Sequence, residues 1–344
     1  MIYRLIKAFL FLLPAETAHH FTTSFFSLLV KTPGLSYIIR KVFYYEHPSL
    51  ERRLLGLNFK NPIGIAAGFD KDGKYISALS AIGFGFIEVG TVTPRPQVGN
   101  PKPRLFRVKD DNAIINRMGF NNGGVEALVH RLASLKKKNV IIGGNIGKNK
   151  DTPNEKAHED YLICFERLYD YVDYFVVNLS SPNTPGLRTL QERGPLSKIL
   201  TVLLDHRKTQ QIKRPILLKI APDLNDDLLR DVVEIVQELK IDGLISANTT
   251  IAREPLTLST ERIEKIGAGG LSGFPLRMKT NKLTKKITQL TDGQLPIIGV
   301  GGIYDSDSAK ERINAGASLL QIYTGFIYEG PFLIKRLKRS LSQN

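Results

Sequence analysis

The chain has 344 residues, a length that fits one large domain, such as an α/β barrel of roughly 250 residues, or two modest ones. An apolar content of 42% argues against a disordered chain, and a net charge of +15 is compatible with nucleic acid, an anionic membrane surface or anionic small molecules as partners. The single cysteine, Cys164, excludes an intramolecular disulfide and any multi-cysteine metal site.

The first residues predict two short apolar helices separated by Pro14. The run 1–13 carries only Arg4 and Lys7 as charges, and its uninterrupted apolar stretch is far below the ~20 residues that cross a bilayer. No small-residue cleavage site follows it, so a signal peptide is not predicted. Apolar faces beside cations are typical of helices that lie on an anionic membrane surface. We therefore expect a membrane-associating segment over 1–45; the alternative is that these helices only cap the main domain.

From about residue 54 onward, short apolar runs alternate with helical patterns. Eight such runs predict an α/β fold, a parallel (β/α)₈ TIM barrel over residues 46–344, with the N-terminal helical extension before it. An open doubly wound sheet is the alternative. A hairpin flanking residues 110–112 and a helix over 125–135 are predicted between the second and third strands. The eight predicted strands are 62–67, 84–89, 140–146, 174–178, 216–220, 244–247, 297–300 and 319–323.

Amide and lysine side chains recur where these strands end. The carboxyl ends of barrel strands carry the chemistry of such folds, so we expect these side chains to meet at one mouth. Amides in this number suit a planar ligand edged with carbonyl and N–H groups, such as a flavin ring or a pyrimidine. The residues are Asn116, Asn145, Asn178, Asn183, Asn248, Lys71 and Lys219.

Glycine turns follow the last two predicted strands. The turn at 299–302 and the pair Thr324-Gly325 match the usual phosphate site of a barrel, where backbone N–H groups hold the anion. No HxxxH motif, paired carboxylates or Cys/His cluster occurs at the strand ends, so the sequence predicts no metal site and no glycosidase chemistry.

The loop 178–188 after the fourth strand is the most distinctive stretch of the chain. It contains two amides, two serines, two prolines that fix φ and a glycine that permits positive φ, so we expect it to be stiff and polar. An ordinary βα connection is the alternative reading for a loop of this composition.

Eight motifs, taken together and in order, resemble the dihydroorotate dehydrogenases, most closely the membrane-associated, quinone-dependent class. The resemblance covers nearly the whole chain and implies an FMN-dependent barrel that oxidises (S)-dihydroorotate to orotate in de novo pyrimidine synthesis and passes the electrons to a respiratory quinone. The motifs are AAGFDK (66–71), NRMGFNN (116–122), NLSSPNTPGLR (178–188), LKIAPD (218–223), ANTT (247–250), GGLSG (269–273), GVGGI (299–303) and QIYTGF (321–326), with LLPAETAHHFT (12–22) before them.

The resemblance implies specific roles for individual residues. Ser181 would be the catalytic base, where soluble classes use cysteine, and Thr184 and Phe120 would shape the proton exit route. The implied quinone contacts are His19, Arg107 and Tyr323. The implied substrate contacts are Lys71, Asn116, Arg117, Met118, Gly119, Phe120, Asn178, Asn183, Asn248 and Thr249. The implied contacts to one FMN per chain are Ala67, Gly68, Phe69, Asp70, Lys71, Thr91, Asn145, Asn178, Lys219, Ala247, Gly270, Gly301, Tyr323 and Thr324.

Two positions depart from the resembled pattern. Ala247 stands where related sequences often carry threonine, so only a backbone contact to FMN would remain there, and Thr324 stands where others have serine. The resemblance also implies a monomer, peripheral on the cytoplasmic side of a bacterial cell membrane, without a nucleic-acid partner. A soluble barrel flavoenzyme using fumarate or a nicotinamide, and a basic barrel that binds nucleic acid, are the alternatives.

Overall fold

The computed structural model describes residues 2–135 and 139–343; Met1 and Asn344, the outer ends of the two predicted segments, lie outside them. Three helices open the chain, where two were predicted. The prediction ended this segment at Gly34, but that glycine has a φ of 80° and starts a further helix. A short hairpin follows. These elements are α1 (Ile2–Leu10), α2 (Ala15–Lys31), α3 (Leu35–Phe43), β1 (Arg52–Leu54) and β2 (Leu57–Phe59).

The predicted parallel barrel is confirmed. Eight strands close in the order β10-β12-β13-β3-β4-β7-β8-β9, and all eight pairings between them are parallel. In chain order the elements are β3 (Ile63–Asp70), α4 (Ile76–Ala81), β4 (Phe86–Val92), β5 (Leu105–Val108), β6 (Ala113–Asn116), α5 (Val125–Ala133), β7 (Ile141–Ile146), α6 (Ala157–Leu168), β8 (Tyr174–Asn178), α7 (Arg193–Thr209), β9 (Ile216–Lys219), α8 (Asp226–Glu238), β10 (Gly243–Ser246), α9 (Thr260–Ile266), β11 (Gly270–Gly273), α10 (Arg277–Leu290), β12 (Ile297–Val300), α11 (Ser306–Asn314), β13 (Leu319–Ile322), α12 (Thr324–Glu329) and α13 (Phe332–Leu341).

Apolar side chains fill the barrel interior, as expected of a packed core. Phe59 from β2 is fully buried and packs edge-on against Phe86 at a ring-centroid distance of 5.4 Å, so the β1–β2 hairpin closes the amino end of the barrel. A Cβ on Gly64 would lie 2.4 Å from the Phe86 ring, which is why this strand position carries glycine. With that end filled, the carboxyl ends of the strands are the face left for a site.

A three-stranded sheet of order β11-β6-β5 lies beside this mouth. The hairpin β5–β6 was predicted, but β11 was not, because four glycine-rich residues show no alternation of apolar and polar side chains. The register sets Gly270 opposite Asn116. The inserted sheet therefore brings the end of β6 to the barrel mouth.

A buried ion pair attaches the N-terminal helices to this region. Arg104 donates to the carboxylate of Glu16 at 2.6 and 3.2 Å. The same guanidinium binds the carbonyl of Asn100 at 3.0 Å, and the Asn100 amide donates to the carbonyls of Arg117 and Asn183 at 3.0 and 3.3 Å. Contacts thus run from α2 to the loop that follows β8.

Candidate active site

A cavity opens at the carboxyl ends of the barrel strands. It holds about 1010 Å³ of empty space, part of it open to solvent, and most of the predicted site residues line it. The predicted residues in its wall are Ala67, Gly68, Lys71, Thr91, Asn116, Met118, Gly119, Phe120, Asn178, Ser181, Asn183, Lys219, Ala247, Asn248, Thr249, Gly301, Tyr323 and Thr324. The fold therefore gathers side chains that are up to about 250 positions apart in the sequence into one wall.

Several predicted residues lie outside the cavity wall. The Asp70 carboxylate turns away and accepts the N–H groups of Lys74 and Tyr75 at 2.8 and 2.7 Å. The Arg117 guanidinium binds the carbonyls of Ile266 and Pro103 instead. The other predicted residues outside the wall are Phe69, Asn145, Gly270, Thr184, His19 and Arg107.

The loop after β8 holds Ser181 in the cavity wall, and this residue is 6% exposed. Its hydroxyl accepts the N–H of Asn183 at 3.3 Å. Arg188 fixes the loop from behind: it donates to the carbonyl of Ser180 at 3.2 Å, to that of Thr249 at 3.0 Å and to Asp223 at 3.0 Å. The predicted stiffness therefore has a physical cause beyond the prolines, because one guanidinium joins the loops after β8, β9 and β10.

Amide side chains in and behind the cavity wall form a hydrogen-bonded network. The Asn178 amide donates to Thr91 at 2.8 Å and to Asn145 at 3.3 Å, while Asn248 donates to the carbonyl oxygen of the Asn178 side chain at 3.3 Å. Thr91 in turn donates to Asn145 at 2.5 Å. Each amide is therefore held in one orientation, which a site that recognises polar edges requires because an unpaired buried polar group is costly.

A fully buried carboxylate, Glu88, lies under this network, and the sequence prediction missed it. It accepts from Asn145 at 2.8 Å and from Gln321 at 2.5 Å, and its Oε1 lies 3.7 Å from the ammonium of Lys219. The available signal was a single acid inside an apolar strand, because a buried charge needs a partner. Glu88 supplies the counter-charge for Lys219, whose side chain is 6% exposed.

Lys71 is the second cation of the cavity wall. Its ammonium donates to the side-chain oxygen of Asn121. Burial, followed by the nearby charge of Arg104, lowers the pKa of Lys71 to about 7. An anionic ligand would favour the charged form of this lysine, since opposite charge raises the pKa of an amine.

The glycine turns after β12 and β13 form the wall across the barrel from the loop after β8. Gly301 and Gly302, with φ values of 99° and 72°, line the cavity together with Thr324 and Gly325. Within residues 2–135 and 139–343, the N–H groups of Gly301 and Gly302 donate to no protein acceptor. A Cβ on Gly325 would lie 2.0 Å from the carbonyl oxygen of Ile303, so the two turns touch backbone to backbone. This donor set fits a phosphate group.

The three residues predicted to contact quinone lie at two separate places: His19 and Tyr323 are near Phe69, and Arg107 is near Phe11. His19 packs edge-on against Phe69 at 4.8 Å, and Phe69 packs against Tyr323 at 5.7 Å, so His19 and the cavity wall are joined by one ring. Burial, with the charges of His20 and Lys71, lowers the pKa of His19 to about 4, which makes the ring neutral at pH 7. Arg107 instead binds the carbonyl of Leu13 at 2.8 Å and stacks on Phe11.

The helices α1, α2 and α3 expose large apolar side chains. On α2, Phe21, Phe25 and Leu28 recur at helical spacing and are 54% to 63% exposed. In the described part of the chain, no helix is both long enough and apolar enough to cross a bilayer. The other exposed apolar residues of these helices are Leu5, Ile6, Phe9, Leu35, Tyr37, Ile38 and Val42.

Comparison with known proteins identifies the family. A family model described as "Dihydroorotate dehydrogenase" matches residues 49–344. The chain belongs to the dihydroorotate dehydrogenase family. It is 55% identical over 337 residues to the dihydroorotate dehydrogenase (quinone) of Christiangramia forsetii, covering 98% of this chain and 97% of the relative. It is 48% identical over 343 residues to the enzyme of the same name from Escherichia coli O1:K1 / APEC, covering 98% and 99%.

A solved structure of the family shows the same fold. The crystal structure of DHODH from Eimeria tenella in complex with ferulenol superposes with a TM-score of 0.82 at 38% identity, covering 95% of this chain and 90% of that one. Dihydroorotate dehydrogenases are generally flavin-dependent. The quinone-linked names of the relatives do not favour the soluble or the nucleic-acid-binding alternative.

Proposed function

We propose that the chain oxidises (S)-dihydroorotate to orotate in de novo pyrimidine synthesis, with one FMN per chain and a respiratory quinone as electron acceptor. The observation that carries this proposal is the convergence of Ser181, a ring of oriented asparagines and Lys71 in one cavity, in a chain of this family. FMN, when bound, supplies the acceptor for the hydride that leaves C6 of the substrate.

The cavity residues fit a flavin mononucleotide. The N–H groups of Gly301 and Gly302 would hold its phosphate, while Lys219 would face the N1/O2 side of the ring and balance negative charge there. Thr91 lines the same wall, and Asn145 orients it from below. The remaining proposed contacts are Ala67, Gly68, Phe69, Asp70, Lys71, Asn178, Ala247, Gly270, Tyr323 and Thr324.

Ser181 would take the proton from C5 of dihydroorotate. A serine hydroxyl is a poor base, so its surroundings must stabilise the charge that develops on the substrate. The proton would leave past Phe120 and Thr184. The buried Thr184 hydroxyl has no hydrogen-bond partner among the described residues, so no other protein group engages it.

The amide side chains would form hydrogen bonds with the polar edge of the pyrimidine ring. Asn116 accepts from Asn183 at 3.1 Å, and this pair faces Asn178 and Asn248 in the same wall. A ligand that left these groups unpaired would be rejected, because their desolvation would go uncompensated. Lys71 would bind the carboxylate of the substrate. The other proposed contacts are Thr249 and the backbone of Arg117, Met118, Gly119 and Phe120.

The segment 1–45 would lie on the membrane as a peripheral anchor and lead quinone to the flavin edge. The exposed apolar side chains of α2 and the adjacent cations suit an anionic lipid surface, and His19 and Tyr323 flank the ring of Phe69 between that segment and the cavity. Arg107 would contribute from the junction of α1 and α2. We further propose a monomer on the cytoplasmic side of a bacterial membrane, without a nucleic-acid partner.

Anaerobic mixing of the purified protein with dihydroorotate tests the proposal. We expect the visible flavin band to bleach and then to recover on addition of a short-chain quinone, but not of fumarate or NAD. A yellow protein that ignores dihydroorotate would contradict the substrate, and a chain that takes up no FMN would contradict the whole proposal.

A further inference from the structure

A buried arginine lies behind the glycine turn that would hold the phosphate. Arg312 on α11 is fully buried, and its two terminal nitrogens donate to the carbonyls of Val300 and Gly301 at 3.0 and 2.9 Å. In a trans peptide the C=O and N–H bonds point in opposite directions. The N–H groups of Gly301 and Gly302, which belong to these two peptides, therefore point away from Arg312, and both glycines line the cavity.

The charge of Arg312 has no carboxylate partner within the described residues. Its remaining donors bind the side-chain oxygens of Asn281, at 2.6 Å, and Thr280. The adjacent Glu311 is engaged by Arg277 at 2.7 Å. Burial lowers the pKa of Arg312 to about 10, so the guanidinium stays charged at pH 7. The charge of Glu311 acts on Arg312 without a direct contact among the described residues. A buried cation that contacts no carboxylate favours an anion nearby.

We propose that Arg312 is a positioning residue that makes the cavity prefer a phosphorylated flavin over an unphosphorylated one. It holds two consecutive carbonyls, which keeps both N–H groups turned away from Arg312 on the side of the peptides that faces the cavity. Donation to a carbonyl also polarises the N–H of the same peptide. The charge of Arg312 adds to the attraction through the turn. The inference rests on the proposed FMN site, and Arg312 itself reaches only the far side of the turn.

The test compares dissociation constants for FMN and riboflavin in the full chain freed of flavin. Arg312→Met removes the charge and the donors while keeping an apolar side chain of similar length, and Arg312→Lys keeps the charge but loses the planar fork. We expect the FMN affinity of Arg312→Met to fall by about 10- to 100-fold, with riboflavin affinity changed less than about threefold. Arg312→Lys should show a smaller loss with the same selectivity.

Lys338→Met is the matched control. Lys338 on α13 is another buried cation that binds a backbone carbonyl, that of Gly83 at 3.4 Å, but it lies outside the cavity wall. Its substitution should leave the ratio of the FMN and riboflavin constants as in the original chain.

The ratio of the two constants decides the inference. An unchanged ratio in the Arg312 variants, even with both affinities lowered, would make Arg312 a purely structural residue. The same change in Lys338→Met would also overturn it. If Arg312→Met does not fold, the ratio in Arg312→Lys decides alone. Failure of the original chain to bind either flavin would instead refute the proposed function, so the two failures are distinguishable.

Discussion

The barrel mouth and the N-terminal helices differ in which side chains they bury: the mouth buries polar groups that are paired, and the helices expose large apolar groups. At the mouth, buried polar groups such as Glu88, Asn145 and Asn178 pair with one another across strands. On α2, Phe21 and Phe25 stand in solvent although they are large and apolar. Pairing fixes orientation, which suits recognition of a polar ring edge, whereas an unpaired apolar face suits a non-aqueous phase. The same chain thus has a polar site at the barrel mouth, ordered by hydrogen bonds, and an exposed apolar surface on α2.

Removal of the Ser181 hydroxyl should impair catalysis at the barrel mouth most strongly. Ser181→Ala should slow reduction of the bound flavin by dihydroorotate by about 10²- to 10⁴-fold, because the proposed base is removed while the amide network remains. Rapid mixing under anaerobic conditions measures the rate. Flavin content and orotate binding serve as controls and should stay near those of the unsubstituted chain. A near-normal reduction rate would remove Ser181 from the role of base.

The exposed apolar face of α2 can be altered without changing the barrel mouth. Replacing Phe21, Phe25 and Leu28 together by Glu should weaken binding to anionic lipid vesicles by at least about 100-fold, because the proposed membrane surface would lose three apolar side chains and gain three negative charges. Flotation of vesicles measures the binding, and flavin reduction by dihydroorotate should be unchanged. The control is the same triple change at exposed apolar positions of the barrel, Ile163, Ile212 and Met278. Equal losses in both triples would refute a docking surface on α2.

Elements and their supporting contacts also differ in how well the sequence predicts them. The barrel strands are predictable because each is a short apolar run, and Ser181 and the asparagines are predictable because they follow those runs. The side chains that hold these residues in place are not predictable in this way. Arg312 lies in a helix of polar sequence that reads as solvent-exposed, and its acceptors are carbonyls of a distant turn. Local patterns reveal elements and their ends, but side-chain partners far apart in sequence appear only once the chain is folded.

The contact between the two regions is the third target. Glu16→Gln should lower the free energy of unfolding by about 2 kcal/mol, since Arg104 is left buried without its counter-charge, with some relief from partial solvent access. Urea titration measures it. Glu126→Gln is the control, because Glu126 makes the same bidentate contact with Arg167 on the exposed surface and should have little effect. Equal losses in the two variants would contradict a special role for the buried pair.

The pH dependence of this pair has a defined sign. Burial raises the pKa of Glu16, but the hydrogen bond and charge of Arg104, together with the charges of Lys102 and Lys71, outweigh burial, and the pKa in the folded protein is lowered. The stability that the pair contributes is therefore present above the pKa of the unfolded chain and is lost as the pH falls through the lowered pKa. The stabilities of the Glu16→Gln variant and the unsubstituted chain should converge in acid.

The protonation of Lys71 links the two regions. Orotate should bind less tightly as the pH rises above about 7, by up to tenfold per pH unit, because Lys71 loses the proton that its interaction with a carboxylate needs. Calorimetric titration from pH 6 to 9 measures this, and Lys71→Arg, which stays charged, should give a flat profile; a flat profile in the unsubstituted chain would contradict the role of Lys71. The charge of Glu16 raises the pKa of Lys71. Glu16→Gln should therefore move the profile to lower pH, so that a residue of the N-terminal helices would adjust the protonation of the site.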